Sequence, residues 1–169
     1  MSEGERIAAL EARLRELEDK AEIAALIHRY AACIRYRDMV GCRSLLLDDA
    51  FFELRHIEPQ DSSKDSLIRR MDGGDAMVGS RDEEAGSQTV MWPMIHAVTI
   101  EVMGDEARST CLSETAMWPF GRASIGEYRD HFRRTAGGWK FASRTYRLYG
   151  DSSGRLASES RAHHISVKR

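Results

Sequence analysis

The chain has 169 residues, 42% of them apolar and 31% charged, with a net charge of −2. This length and balance fit one globular domain with its own core, and the basic stripe that a nucleic-acid binder needs is missing. No apolar run approaches the roughly 18 residues of a membrane span, and the N-terminus is charged from Glu3 onward, so neither a membrane contact nor a signal peptide is expected.

The predicted elements begin with Ser2 and Glu5, an N-cap followed three residues later by an acid. Ile7, Leu10, Leu14 and Leu17 then recur at spacings of three, four and three, a narrow stripe flanked by Glu, Arg and Lys. The stripe fits a helix laid on its own domain, or a short coiled-coil arm that meets a second subunit. Asp19 and Glu22 repeat the capping pattern, so a second helix is predicted there, with Ile23, Leu26, Ile27, Tyr30 and Ile34 on its apolar face. A third short helix follows Asp38, runs through Val40, Leu45 and Leu46, and ends at Asp48–Asp49. Residues 50–56 read as the first strand, and 62–71 as a short capped helix. Residues 72–87, rich in Gly, Asp, Glu and Ser, read as a mobile loop.

From residue 88 the period becomes alternating. Val98, Ile100 and Val102 lead into a turn at Gly104–Asp105, and strands are predicted over 106–120, 124–134 and 139–149. Such long strands joined by short turns form an antiparallel, curved meander. Helices segregated from it define an α+β architecture, here a cone with a concave apolar interior suited to a small ligand. The domain is expected over 21–151, between an N-terminal helical arm (1–20) and a polar tail (152–169). Cys33, Cys42 and Cys111 lack zinc-type spacing and read as buried free thiols, which suits the cytoplasm. There is no P-loop, dinucleotide fingerprint or nucleophile elbow, so neither a metal nor an organic cofactor is expected.

Four segments carry a family resemblance: 21–30 (AEIAALIHRY), 45–50 (LLLDDA), 100–107 (IEVMGDEA) and 137–144 (GGWKFASR). In this order and spacing they resemble the SnoaL-like branch of the NTF2-like superfamily. The resemblance implies the cone fold and a homodimer or larger homo-oligomer paired through the open sheet face. It also implies cofactor-independent chemistry on small hydrophobic cyclic substrates, as in dehydratases, polyketide cyclases and isomerases. A catalytically silent binding domain is the alternative.

In dehydratase-like relatives an Asp near the end of the second helix supports a His on a sheet strand, and the His removes a proton. Here the Asp position falls on Arg35 and the His position near Pro93, while the steroid-isomerase base position falls on Leu54. His96 shares strand parity with Val98, Ile100 and Val102, so it is expected to face the interior as the base, with a bulge near Pro93 able to re-aim it. Asp38 is its candidate partner, or else the cap of the third helix. Arg35 would suit an anionic ligand group, or sit in solvent at the helix end. Tyr30, and less directly Tyr36, would polarise a carbonyl. Trp92, Trp118, Phe120, Tyr128 and Met117 are expected to line the pocket, or else to be core or dimer contacts. Glu114 and His131 lie mid-strand with either facing open, and His163–His164 form a weak metal-type pair.

Overall fold

The computed structural model describes residues 1–58, 60–85, 90–119 and 121–151. Helix α1 runs unbroken over Glu3–Tyr36, opened by the Ser2–Glu5 capping box and closed at Arg37 in the left-handed conformation. The second helix start expected at Asp19 does not occur. Asp19 and Glu22 are committed elsewhere: Asp19 takes a bidentate contact from Arg134 (2.7 and 2.7 Å) and one from the Trp139 indole (3.0 Å), and Glu22 accepts the Trp139 backbone N–H at 2.8 Å. Two carboxylates that could have capped a helix instead pin its middle to the turn of a hairpin.

Asp38 caps the one-and-a-half-turn α2 (Met39–Ser44) by accepting from the Gly41 N–H at 2.8 Å. Strand β1 (Leu46–His56) starts earlier than expected and contains Asp48 and Asp49. Two arginines hold them: Arg43 bonds Asp48 on β1 and also Asp75 of a later helix, tying three elements together, and Arg133 bonds Asp49.

The helix expected over 62–71 is a single 3-10 turn (Ser62–Lys64) followed by strand β2 (Ser66–Asp72). Asp61 caps only that turn. Beyond it the chain pairs antiparallel with β1, where Arg70 meets Glu53 at 2.7 Å. The loop expected from residue 72 is largely helix α3 (Gly74–Ala85), whose Met77 is buried. One apolar anchor and tertiary contact override a composition that reads as loop.

Strands β3 (Val90–Met103), β4 (Glu106–Trp118), β5 (Arg122–Thr135) and β6 (Gly138–Asp151) form the expected meander. The sheet order is β2-β1-β6-β5-β4-β3, antiparallel throughout except for β1 against β6. The curved, unclosed sheet and the helices on its concave face make the α+β cone. Residues on that face align in rows across the strands. One row is Leu46, Phe141, Phe132, Ala107 and Val102; the next is Phe52, Arg144, Asp130, Ser109 and Ile100. Leu54, Tyr146, Tyr128 and Cys111 follow, then His56, Leu148, Gly126, Ser113 and Ile95. From α1, Ile23, Ile27, Tyr30 and Ile34 close over them.

Candidate functional site: the inner face of the cone

The centre of the cone holds a fully buried ion pair. Arg144 Nε and Nη2 donate to the two Asp130 carboxylate oxygens, both at 2.9 Å, and the side chains are 1% and 0% exposed. The guanidinium also lies against the rings of Tyr30, Tyr128 and Phe141 at 4.1, 4.2 and 4.4 Å. Burial opposes charge on both partners. It pushes the Asp130 carboxyl up against the pull of Arg144, while Asp130 holds the guanidinium protonated beyond its usual range. Both Asp130 oxygens are engaged by Arg144, so the pair is a scaffold around which three aromatic rings are set rather than a base for a ligand.

Two groups beside it are kept protonated. Burial, with Asp130 nearby, raises the Cys111 thiol to about 12, and burial likewise raises the Tyr146 phenol above its ordinary value. Tyr146 lies against Tyr128 with centroids 4.7 Å apart, and its hydroxyl is 3.3 Å from Ser124 Oγ. The ring passes over Gly126, where a Cβ would meet Tyr146 ring carbons at 2.7 Å and the Arg147 carbonyl at 2.5 Å. Glycine is therefore required there for close approach rather than for an unusual backbone angle.

One row beyond Tyr146 stands His56, 6% exposed, whose Nε2 is buried without a hydrogen-bond partner. Ser109 Oγ, in the ion-pair row, is the other buried side-chain atom in that condition among the described residues. A buried polar atom left unpaired costs about 1–3 kcal/mol, so each such atom asks for a reason, and a ligand is one.

The residues expected to form the site are distributed differently. His96 is exposed, on the outer face of the sheet. A bulge in β3 between His96 and Thr99, with Ala97 at φ 49°, shifts the alternation by one residue. Val98, Ile100 and Val102 keep the inner face, but His96 pairs with the half-exposed Leu112, and its neighbours Ile95 and Pro93 point inward in its place. Asp38 is spent on its cap, with only a 4.0 Å contact to the Cys33 thiol, so no His96–Asp38 dyad forms.

Arg35 is exposed and donates to the Pro93 carbonyl at 3.4 Å. The two positions where the resemblance places an Asp–His pair thus meet in space, but as an arginine and a proline. Tyr30 and Tyr128 do lie in the interior, on Arg144. Tyr36 is 74% exposed. Trp92 and Trp118 lie on the outer face rather than in the interior, and there with Val90, Ala116, Gly121 and Ala123 they border a groove of about 600 Å³. Met117 borders the same groove, and Glu114 is exposed there. His131 contacts Glu106 at 3.3 Å at the edge of the domain. Phe120, His163 and His164 lie outside the described residues. The three cysteines are buried and not joined in a disulfide, as expected. Among the described residues no cluster of His, Cys, Asp or Glu is arranged to hold a metal, and no helix is long and apolar enough to cross a membrane.

This architecture matches a known family. The model of the SnoaL-like domain fits residues 15–145. The chain belongs to the SnoaL-like family. Among solved structures, the SnoaL-like chain is similar to an NTF2-like protein with a cystatin-like fold from Novosphingobium aromaticivorans (25% identity, 89% of this chain and 93% of that one, TM-score 0.67). It shares the fold of the β subunit of a proposed aromatic-ring-hydroxylating dioxygenase from the same organism (16% identity, 80% and 91% covered, TM-score 0.66). It also shares the fold of a proposed scytalone dehydratase from that organism (15% identity, 83% and 91% covered, TM-score 0.65). No curated protein matches the sequence significantly.

Proposed function

We propose that this SnoaL-like domain binds a small, largely apolar cyclic compound carrying a carbonyl, and removes a proton beside that carbonyl without a cofactor. The observation that carries the reading is the buried, unpartnered Nε2 of His56 on the inner face. His56 takes the role first expected of His96. Its Nε2 accepts the proton as the C–H bond breaks, and the electron pair moves into an enolate. The protonated Tyr146 phenol, one row away, donates to the enolate oxygen. The enolate then expels a β-hydroxyl group, which leaves as water with the proton held by His56, or takes that proton back at another carbon; these are the dehydratase and isomerase outcomes. The Asp130–Arg144 pair keeps the Tyr30 and Tyr128 rings in place as an apolar wall.

The test is α-proton exchange of cyclic aromatic ketones in D2O, followed by NMR. His56→Ala should slow exchange by about 100-fold or more while ligand still binds. Undiminished exchange in that variant removes His56 from the mechanism.

A second reading, binding without chemistry, is favoured by the Arg35–Pro93 contact at the dyad positions. Tight binding with no exchange in the unaltered protein would decide for it. Self-association through the outer sheet face belongs to either reading, since Trp118 (70% exposed), Trp92 (57%), Leu112 and Ile125 form an apolar patch there. Trp118→Glu should lower the assembly mass in light scattering without unfolding the chain.

A further inference from the structure

The first half of α1 carries an apolar stripe that its own domain leaves uncovered. Ile7, Leu10, Leu14 and Leu17 are 51, 66, 56 and 58% exposed, whereas the buried residues of the same helix begin at Ile23. At about 100° per residue, the stripe lies roughly 150° around the helix from the face formed by Ile23, Ile27, Tyr30 and Ile34. A straight helix cannot lay both faces on one domain, so the stripe is not an extension of the core. The expectation that it rests on its own domain is not met.

The helix is nonetheless well formed there. The capping box closes its start, and Asp19 and Glu22 anchor its middle to the β5–β6 turn, so helix nucleation is supplied by the packed half.

We infer that residues 3–20 form a parallel, in-register two-stranded coiled coil with the same segment of a second copy of this chain. Charge and side-chain shape select that occupant and that orientation. With Ile7 and Leu14 at a and Leu10 and Leu17 at d, the g positions are Arg6, Arg13 and Lys20 and the e positions are Glu11 and Glu18. In a parallel pair each g residue faces the e residue five positions later on the other strand, which matches Arg6 with Glu11 and Arg13 with Glu18, twice by symmetry. An antiparallel pair would set arginine against arginine and glutamate against glutamate. Leucine at both d positions, with β-branched Ile7 at the first a, also suits two parallel strands. The seam spans only about 16 Å, so it is too short to hold isolated peptides together. It works because each strand is already helical and is fixed to a folded domain.

The test uses the full chain. Leu10→Asp with Leu14→Asp should halve the mass of the assembly in sedimentation at a fixed concentration. Circular dichroism should show the domain still folded, because both side chains are exposed, with the thermal midpoint lowered only by the lost association. Leu10→Cys should give a disulfide-linked dimer under mild oxidation, since d residues of a parallel pair face one another. Glu11→Arg with Glu18→Arg should weaken assembly at low salt by tenfold or more. An unchanged mass in the double aspartate variant overturns the inference. A halved mass without crosslinking by the Leu10→Cys variant overturns the parallel orientation, and would place the stripe on another part of the partner, such as its outer sheet face.

Discussion

Removing one half of the buried ion pair should cost this fold a large share of its stability. In Asp130→Leu the Arg144 guanidinium loses two 2.9 Å charge-assisted bonds and remains 1% exposed, with three aromatic rings and no anion around it. Stranding a buried charge in this way costs about 3–5 kcal/mol, against a total stability of roughly 5–15 kcal/mol for a domain. For a chain of this size that is a fall of about 6–20 °C in Tm. The double variant is the sharper test. Asp130→Leu with Arg144→Met removes both charges and fills similar volume with apolar atoms, so it should lie within about 1–2 kcal/mol of the starting protein. Urea unfolding followed by far-UV circular dichroism measures both single variants and the double one. An Asp130→Leu single variant that unfolds within about 1 kcal/mol of the parent would show that the guanidinium finds water or another partner. A double variant as unstable as the sum of the two single variants would show that the pair is not a closed unit.

Three further outcomes follow from particular contacts. Gly126→Ala places a methyl group against Tyr146 and the Arg147 carbonyl, and should destabilise the fold by about 1–3 kcal/mol and weaken ligand binding. Urea unfolding and ligand titration read the two effects. The side-chain bond from Arg134, then that from Trp139, holds the Asp19 carboxyl below its ordinary value. A depressed folded-state pKa gives stability that is present above the unfolded value and lost as pH falls through the folded one. Stability should therefore decline in acid, and in urea titrations across pH Asp19→Asn should be weaker at pH 7 with a flatter profile below about pH 5. His56→Phe removes an unpaired buried nitrogen and should leave stability equal or higher while ligand affinity falls, as seen by calorimetry. A purely structural histidine would show the reverse.

The meander was legible in the sequence because its turns, Gly104–Asp105 and Ala136–Gly138, sit between clearly alternating strands. The face of each side chain was legible only where alternation is unbroken. Around Asp130 the alternation of β5 holds, so this residue could have been placed inward with Tyr128 and Phe132: a carboxylate in phase with two core aromatics was the signal. Its partner was hidden. Trp139 and Phe141 set a phase that points Arg144 outward, but the register skips Ala142 and turns it inward. The bulge at Ala97 reverses His96 in the same way. A bulge changes the face of every later residue and leaves little trace in composition. The elements missed, β2 and α3, are those whose form depends on β1 and Arg43 rather than on their own sequence. His56 ends an ordinary strand, and only its burial without a partner sets it apart.

The central claim is that the inner face of the cone is where the ligand sits, with His56 meeting its polar group. A crystal structure grown with a bicyclic aromatic ketone tests this most directly. The ketone is expected between α1 and the sheet, against Tyr146 and Tyr128, with its reacting carbon or oxygen about 3 Å from His56 Nε2. A ketone found instead in the outer groove between Trp92 and Trp118, with His56 Nε2 still unpaired, would contradict it.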